Sequence, residues 1–177
     1  MQQNEISKII RARVQSAGQR FHCNDNIAEY INSDSELDQL VDEVSDRFQA
    51  VLESLIIDTD NDHNTRDTAR RVAKMFIHET FGGRYRPVPK VTSFPNLGYK
   101  SLYTTGPISI RSTCAHHFQN IVGRCWVGIL PEDEVIGLSK FNRIVHHIAE
   151  RPQIQEEMTV QFPYKTKEDK EIGRAHV

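Results

Sequence analysis

The chain has 177 residues, of which 38% are hydrophobic, and its formal net charge is −2 at pH 7. This length allows one domain with a sizeable core and an accessory segment. The small net charge gives no basis for binding nucleic acid or an anionic membrane surface, so neither is expected as a partner. The sequence contains neither a signal peptide nor an apolar run long enough to cross a membrane, and we expect a cytoplasmic protein.

Three cysteines, Cys23, Cys114 and Cys125, form no disulfide framework, which fits a reducing compartment. Cys125 lies within the apolar run of residues 121–130, and we expect it to be a small buried core residue. No function is assigned to Cys23.

The first residues, 1–32, have a weak helical pattern. The apolar residues Ile6, Ile9, Ile10 and Val14 have amphipathic spacing, but the segment has little to bury itself against within one chain. We expect this segment to pack on a neighbouring subunit or to stay mobile.

Residues 33–83 are predicted to form a helical region. Ser33 and Glu36 make a capping box, and the apolar period that follows predicts a core-facing helix of about twenty residues. Polar residues 58–64 interrupt the pattern, Thr65 is placed to cap the next helix, and the pair Gly82-Gly83 is expected to end it.

The second half of the chain has a different pattern. Residues 108–112 and 121–130 are typical of two strands joined by a short segment that contains Cys114. Apolar residues from Leu138 to Ile148 then predict another helix, and Pro152 is expected at the first position of a further one. Helices followed by antiparallel strands and a helix pair indicate an α+β protein.

A short cluster of metal-binding residue types lies between the two predicted strands. Cys114, His116 and His117 place a thiol and two imidazoles within four residues. Thiolate and imidazole are ligands that zinc selects. Alone, such a cluster is structural more often than catalytic.

Three segments together resemble the GTP cyclohydrolase I family: residues 112–118 around the cluster, residues 135–145, and residues 151–156. Residues 67–76 also resemble the helix that precedes the catalytic part of that family. The likeness runs from about Leu37 to Gln161 with the motifs in the right order. It implies the tunnelling fold, in which the sheets of several subunits join into a barrel, and a homo-oligomer that is a decamer in the family.

The resemblance also implies roles for particular residues. Cys114 and His117 would be two of three protein ligands to zinc, with a Cys from a later strand as the third. Water activated at the metal would attack C8 of the guanine of GTP, and His116, pointing away from the ligands, would be the general acid. The products would be formate and 7,8-dihydroneopterin triphosphate, at the start of pterin, folate or deazaguanine synthesis.

The substrate would be held by two further groups of residues. Lys140 and Arg143 lie three apart on one helix face and would bind the triphosphate together with Ser139. Gln155 and Glu156 would recognise guanine, because a carboxylate accepts from both its N1 and N2 donors; Glu157 is the alternative carboxylate. His146 and His147 are expected to be surface or packing residues.

Two features depart from the family pattern. Ala115 stands where the family commonly has Glu, so a nearby carboxylate is lost and activity is expected to be tuned or reduced. The third zinc ligand is expected beyond Val177, so residues 84–170 would be a partial, C-terminally incomplete catalytic domain. Residues 171–177 are expected to be a non-native tail.

Two other functions stay open at this point. A catalytically incomplete paralogue would keep the subunit-packing helices and act as a structural or regulatory subunit. A tunnelling-fold relative that reduces a nitrile with a nicotinamide cofactor and a Cys nucleophile ranks lower, because it gives the His116-His117 pair no task.

Overall fold

A computed structural model describes residues 5–161 and, for the backbone alone, residues 174–176. The contacts within the chain divide it into two compact units, unit 1 (Met1–Pro87) and unit 2 (Val88–Val177). Within the described residues, no helix combines the length and apolar character that a membrane crossing requires. Helices dominate unit 1 and two sheets with two helices form unit 2, which confirms an α+β architecture.

The regular elements described in unit 1 are all helical. Its elements are α1 (Ile6–Ser16), a 3₁₀ turn (Ala28–Tyr30), α2 (Asp34–Ser54), α3 (Thr68–Lys74), a π-helical turn (Met75–Thr80) and α4 (Gly82–Tyr85). Only half of the predicted capping box forms, because the Glu36 carboxylate accepts from the Asn32 N–H at 2.9 Å rather than from the Ser33 N–H. The half that is confirmed is the cap itself: the Ser33 hydroxyl accepts a hydrogen bond from the Glu36 N–H at 3.3 Å. This bond satisfies one of the free N–H groups in the first turn of α2.

Helix α1 confirms the helical pattern of the first residues, and it packs within its own unit rather than staying mobile; additional packing on a neighbouring subunit stays a prediction. Its residues Ile6, Ile10 and Val14 are buried in one cluster with four residues of the later helices, namely Leu40, Val41, Ala73 and Ile77. The later helices of unit 1 thus provide the apolar surface that covers α1, and burial of the stripe stabilises the packing. The sequence pattern alone did not reveal this surface.

Two predicted helix boundaries are also wrong. Thr65 does not cap the next helix: its hydroxyl donates to the Asp62 carbonyl at 3.4 Å, and α3 begins at Thr68. Gly82 and Gly83 do not end the helical region, since they open the short helix α4 after the π-helical turn.

Unit 2 contains the strands and the two helices that carry the site residues. Its elements are β1 (Ser93–Pro95), β2 (Tyr103–Cys114), β3 (Asn120–Ile129), β4 (Glu134–Ile136), α5 (Leu138–Ala149), β5 (Pro152–Gln153), α6 (Gln155–Val160) and β6 (Arg174–His176). Strands β1 and β4 form a two-stranded antiparallel sheet, and the other sheet has the order β5-β2-β3-β6.

The larger sheet is mixed rather than antiparallel throughout. Strand β3 pairs antiparallel with both β2 and β6, whereas β5 pairs parallel with β2. Pro152 therefore lies in β5 and not at the start of a helix, which corrects the prediction for that residue. Residues 162–173 and 177 lie outside the described residues, so the predicted boundaries at 170 and 171 fall outside them too.

The core of unit 2 lies between β2, β3 and α5. Inward-facing residues alternate along the strands, and they meet the apolar stripe of α5 predicted from the sequence. Cys125 is fully buried in this core, as expected, and burial raises the pKa of its thiol. The core fixes the end of β2 and the position of α5, the elements that carry the site.

Candidate active site

The connection between β2 and β3 carries the Cys and His residues. This segment, the Cys/His turn (residues 114–119), is closed by two backbone bonds: the Cys114 N–H donates to the Gln119 carbonyl, and the Phe118 N–H donates to the Cys114 carbonyl, each at 2.9 Å. Phe118 has a left-handed backbone with φ of 54°, which completes the reversal. The turn therefore presents its side chains from the end of a core strand.

The structure brings Cys114 and His116 together. The Sγ atom of Cys114 lies 3.8 Å from Nδ1 of His116, and the ring centroids of His116 and His117 are 6.3 Å apart. Cys114 is half-buried and both histidines are exposed. The expectation that His116 points away from Cys114 is therefore wrong for this structure.

Strand β5 holds the α6 segment against this turn. Cys114 of β2 and Gln153 of β5 are register partners, and the Ala115 N–H donates to the Gln153 carbonyl at 3.1 Å. Helix α6 begins at Gln155, so Gln155 and Glu156 lie in its first turn, both exposed. A carboxylate in the first helical turn is favoured by the free N–H groups there.

The predicted phosphate-binding residues lie at the start of α5. Ser139 and Arg143 are exposed, Lys140 is half-buried, and the Lys140 N–H donates to the Gly137 carbonyl at 2.8 Å. Neither Lys140 nor Arg143 has a carboxylate partner within the part of the chain that the structure describes. With respect to the described residues, their positive charges are therefore available to an anion.

The two groups of predicted substrate-binding residues are linked through α5. The Gln153 side chain donates to the carbonyl of Ile148, near the end of α5, at 2.6 Å. Ser139 lies nine residues earlier, which is roughly 14 Å along the axis at 1.5 Å per residue. Gln153 was not singled out from the sequence, although it lies within the segment 151–156, between Pro152 and Ile154.

A complete metal-binding set is not formed by the described residues alone. Among residues 5–161, no group of three or more His, Cys, Asp or Glu side chains is arranged to hold a metal ion. The thiol of Cys114 and the two neighbouring imidazoles are nevertheless the donor types that a zinc site uses. They are thus suited to supply part of such a site.

Comparison with known proteins decides the family. The model of the family described as GTP cyclohydrolase I matches residues 35–171, which is more than half of the chain. The chain belongs to the GTP cyclohydrolase I family. This match includes the Cys/His turn, the start of α5 and the β5–α6 segment.

Individual GTP cyclohydrolase 1 proteins agree with this assignment. The chain is 42% identical over 121 residues to the protein from Yersinia enterocolitica, covering 67% of this chain and 54% of that protein. It is 46% identical over 103 residues to the Yersinia pestis protein, covering 57% and 47%. It is 41% identical over 122 residues to the Shewanella amazonensis protein, covering 68% and 56%. The chain thus spans about half the length of the curated relatives it matches.

Proposed function

We propose that this chain forms part of a GTP cyclohydrolase I that hydrolyses GTP, with zinc, to 7,8-dihydroneopterin triphosphate and formate. Such a reaction starts pterin, folate or deazaguanine synthesis. The observation that carries the proposal is the pairing of β5 with the end of β2, because the Ala115–Gln153 bond joins the Cys/His turn to the segment bearing Gln155 and Glu156. Potential metal ligands and guanine-recognition groups therefore belong to one local structure.

Cys114 and His117 would hold the metal. Cys114 supports this role because its thiol is half-buried at a fixed strand end and lies beside the imidazole of His116. A further protein ligand would have to come from outside the described residues. When bound, zinc would lower the pKa of a coordinated water toward about 7, which provides a nucleophile at neutral pH.

His116 would transfer the proton. An imidazole can donate a proton to a ring nitrogen of guanine while C8 is attacked, which eases opening of that ring. His116 is exposed and therefore accessible to a substrate. Its place beside Cys114 would keep the donated proton close to the reacting carbon.

The substrate would lie between the two other groups. Lys140 and Arg143 would bind the triphosphate as a point charge and a two-pronged donor, and the Ser139 hydroxyl would add a hydrogen bond. The Glu156 carboxylate would accept from the N1 and N2 donors of guanine, with Gln155 beside it. Adenine offers an acceptor at N1, so ATP would leave that carboxylate unpaired.

The tunnelling fold and a homo-oligomer, a decamer in related enzymes, belong to the same proposal. On β3, Val122 and Trp126 face away from the core and are 77% and 48% exposed. An apolar sheet surface of this kind is stabilised when it is covered by another subunit.

The proposal is tested by measuring zinc content and the fluorescent pterin formed from GTP. We expect Cys114→Ala to lose zinc, whereas the matched control Cys23→Ala, at an exposed cysteine of unit 1, keeps it. Unchanged zinc content in Cys114→Ala would refute the proposed metal site. Zinc and GTP binding without turnover would instead support a catalytically incomplete subunit.

A second pair of variants separates the two histidines. His117→Ala should lose zinc, and His116→Ala should keep zinc but turn over about 10²–10⁴-fold more slowly, the usual contribution of a general acid. The opposite result would exchange the roles of the two histidines. This comparison is needed because His116, the proposed general acid, lies close enough to Cys114 to share a metal ion with it.

A further inference from the structure

Gln153 is a polar side chain in an apolar environment. It is only 1% exposed and is among the largest fully buried side chains of the described residues. Burying an amide is costly unless its N–H and C=O groups form hydrogen bonds. The Gln153 amide therefore requires hydrogen-bond partners within the protein.

The Gln153 side chain joins the ends of two helices. Its Nε2 donates to the carbonyls of Ile148 and Ala149, at 2.6 and 3.5 Å, at the end of α5. Its Oε1 accepts from Nε2 of Gln161, just after α6, at 3.2 Å. Two carbonyl acceptors on one side of the amide settle which end carries the nitrogen.

The backbone of Gln153 makes the third connection, to the Cys/His turn through Ala115. Strand β5 contains only two residues, and Pro152 has no N–H to donate. So short a strand is held weakly by its own pairing. The buried side-chain amide therefore supplies much of what fixes β5 between α5, α6 and the turn.

We propose that Gln153 is a positioning residue, which holds the first turn of α6 at a fixed place relative to the Cys/His turn. This inference rests on the proposed function. Gln153 itself does not touch the substrate; it acts through Glu156, three residues later in the chain. A correct position of the Glu156 carboxylate is needed for it to accept from both N1 and N2 of guanine.

The consequence is measurable as discrimination between GTP and ITP. Hypoxanthine keeps the N1 donor of guanine but lacks the N2 amine, so ITP loses only one of the two bonds to Glu156. A hydrogen bond to a charged group gives roughly tenfold or greater preference for GTP. When Glu156 is displaced, the N2 bond weakens, and this preference falls.

The experiment measures the equilibrium Kd of GTP and of ITP for the full chain with zinc, at low temperature and with turnover checked. Gln153→Met keeps the side-chain length and removes the hydrogen bonds. We expect the Kd ratio of ITP to GTP to fall at least about threefold in this variant. The control Val145→Ala destabilises the same core through a residue that is 1% exposed, and it should keep the ratio.

The outcomes separate the two proposals. An unchanged ratio in Gln153→Met, with a lowered melting temperature, would overturn the positioning role and leave the proposed function intact. If Gln153→Met does not fold, Gln161→Ala decides by the same ratio; this variant removes the donor to Oε1 of Gln153 and also the acceptor of the Arg151 guanidinium. Absence of GTP binding by the unmodified chain would overturn the proposed function, and the positioning role with it.

Discussion

Removal of the Ile10 side chain tests whether α1 belongs to the core of its own chain. Ile10 is 4% exposed and packs in the cluster of unit 1. Ile10→Ala deletes three buried carbon atoms at about 0.8 kcal/mol each, or about 2.4 kcal/mol, and the cavity left behind adds about 1 kcal/mol. The higher helix propensity of Ala offsets a few tenths of a kcal/mol of this cost, so we expect the free energy of unfolding to fall by about 3 kcal/mol.

The loss is measured as the thermal midpoint by far-UV circular dichroism, at two protein concentrations about tenfold apart. For a chain of this size, about 3 kcal/mol lowers the midpoint by about 6–12 °C. The control is Leu55→Ala, since Leu55 is 64% exposed and its change should be below about 0.5 kcal/mol. Equal effects of the two variants would refute packing of α1 within the chain. An effect that varies with protein concentration would indicate packing on a second subunit instead.

Two further predictions concern titratable groups. The Arg13 guanidinium, through two bonds of 2.7 Å, and the Asn32 N–H hold the pKa of the Glu36 carboxyl below its usual value. Because a lowered folded-state pKa stabilises only the ionised form, Glu36→Gln should lower the melting temperature at neutral pH, and the difference should shrink as the pH falls through the carboxyl range; a pH-independent difference would contradict this. Burial raises the pKa of the Cys125 thiol, so in the folded chain an alkylating reagent should modify the exposed Cys23 first, and equal rates by mass spectrometry would argue against that burial.

The sequence located most of the elements because their signals are local. The apolar run of residues 121–130 and the stripe from Leu138 to Ile148 correspond to β3 and α5. The cap at Ser33 was also correct. Boundaries at Thr65 and Gly82 were wrong, because the π-helical turn and α4 depend on packing in unit 1 rather than on the residues at the boundary.

The candidate site, too, was predictable only in part from the sequence. The residue types of Cys114, His116, Lys140 and Glu156 and their order were readable from the sequence, and their proposed roles stay predictions. The proposed role of Gln153 could not be predicted from the sequence, because a Gln beside a Pro gives no sign of burial. Its burial depends on the ends of α5 and α6, to which its side chain is hydrogen-bonded.

The sequence by itself determined the family, the α+β composition and the identity of the candidate site residues, since these depend on short motifs and on periods of one helix or strand. Only the tertiary structure decided that α1 packs within unit 1, that β5 pairs parallel with β2, and that His116 lies beside Cys114. The physical reason is that the first two features arise from contacts between segments distant in the chain, and the third from the backbone path of the turn that joins β2 and β3. Their stability comes from burial and hydrogen bonding that no local pattern records.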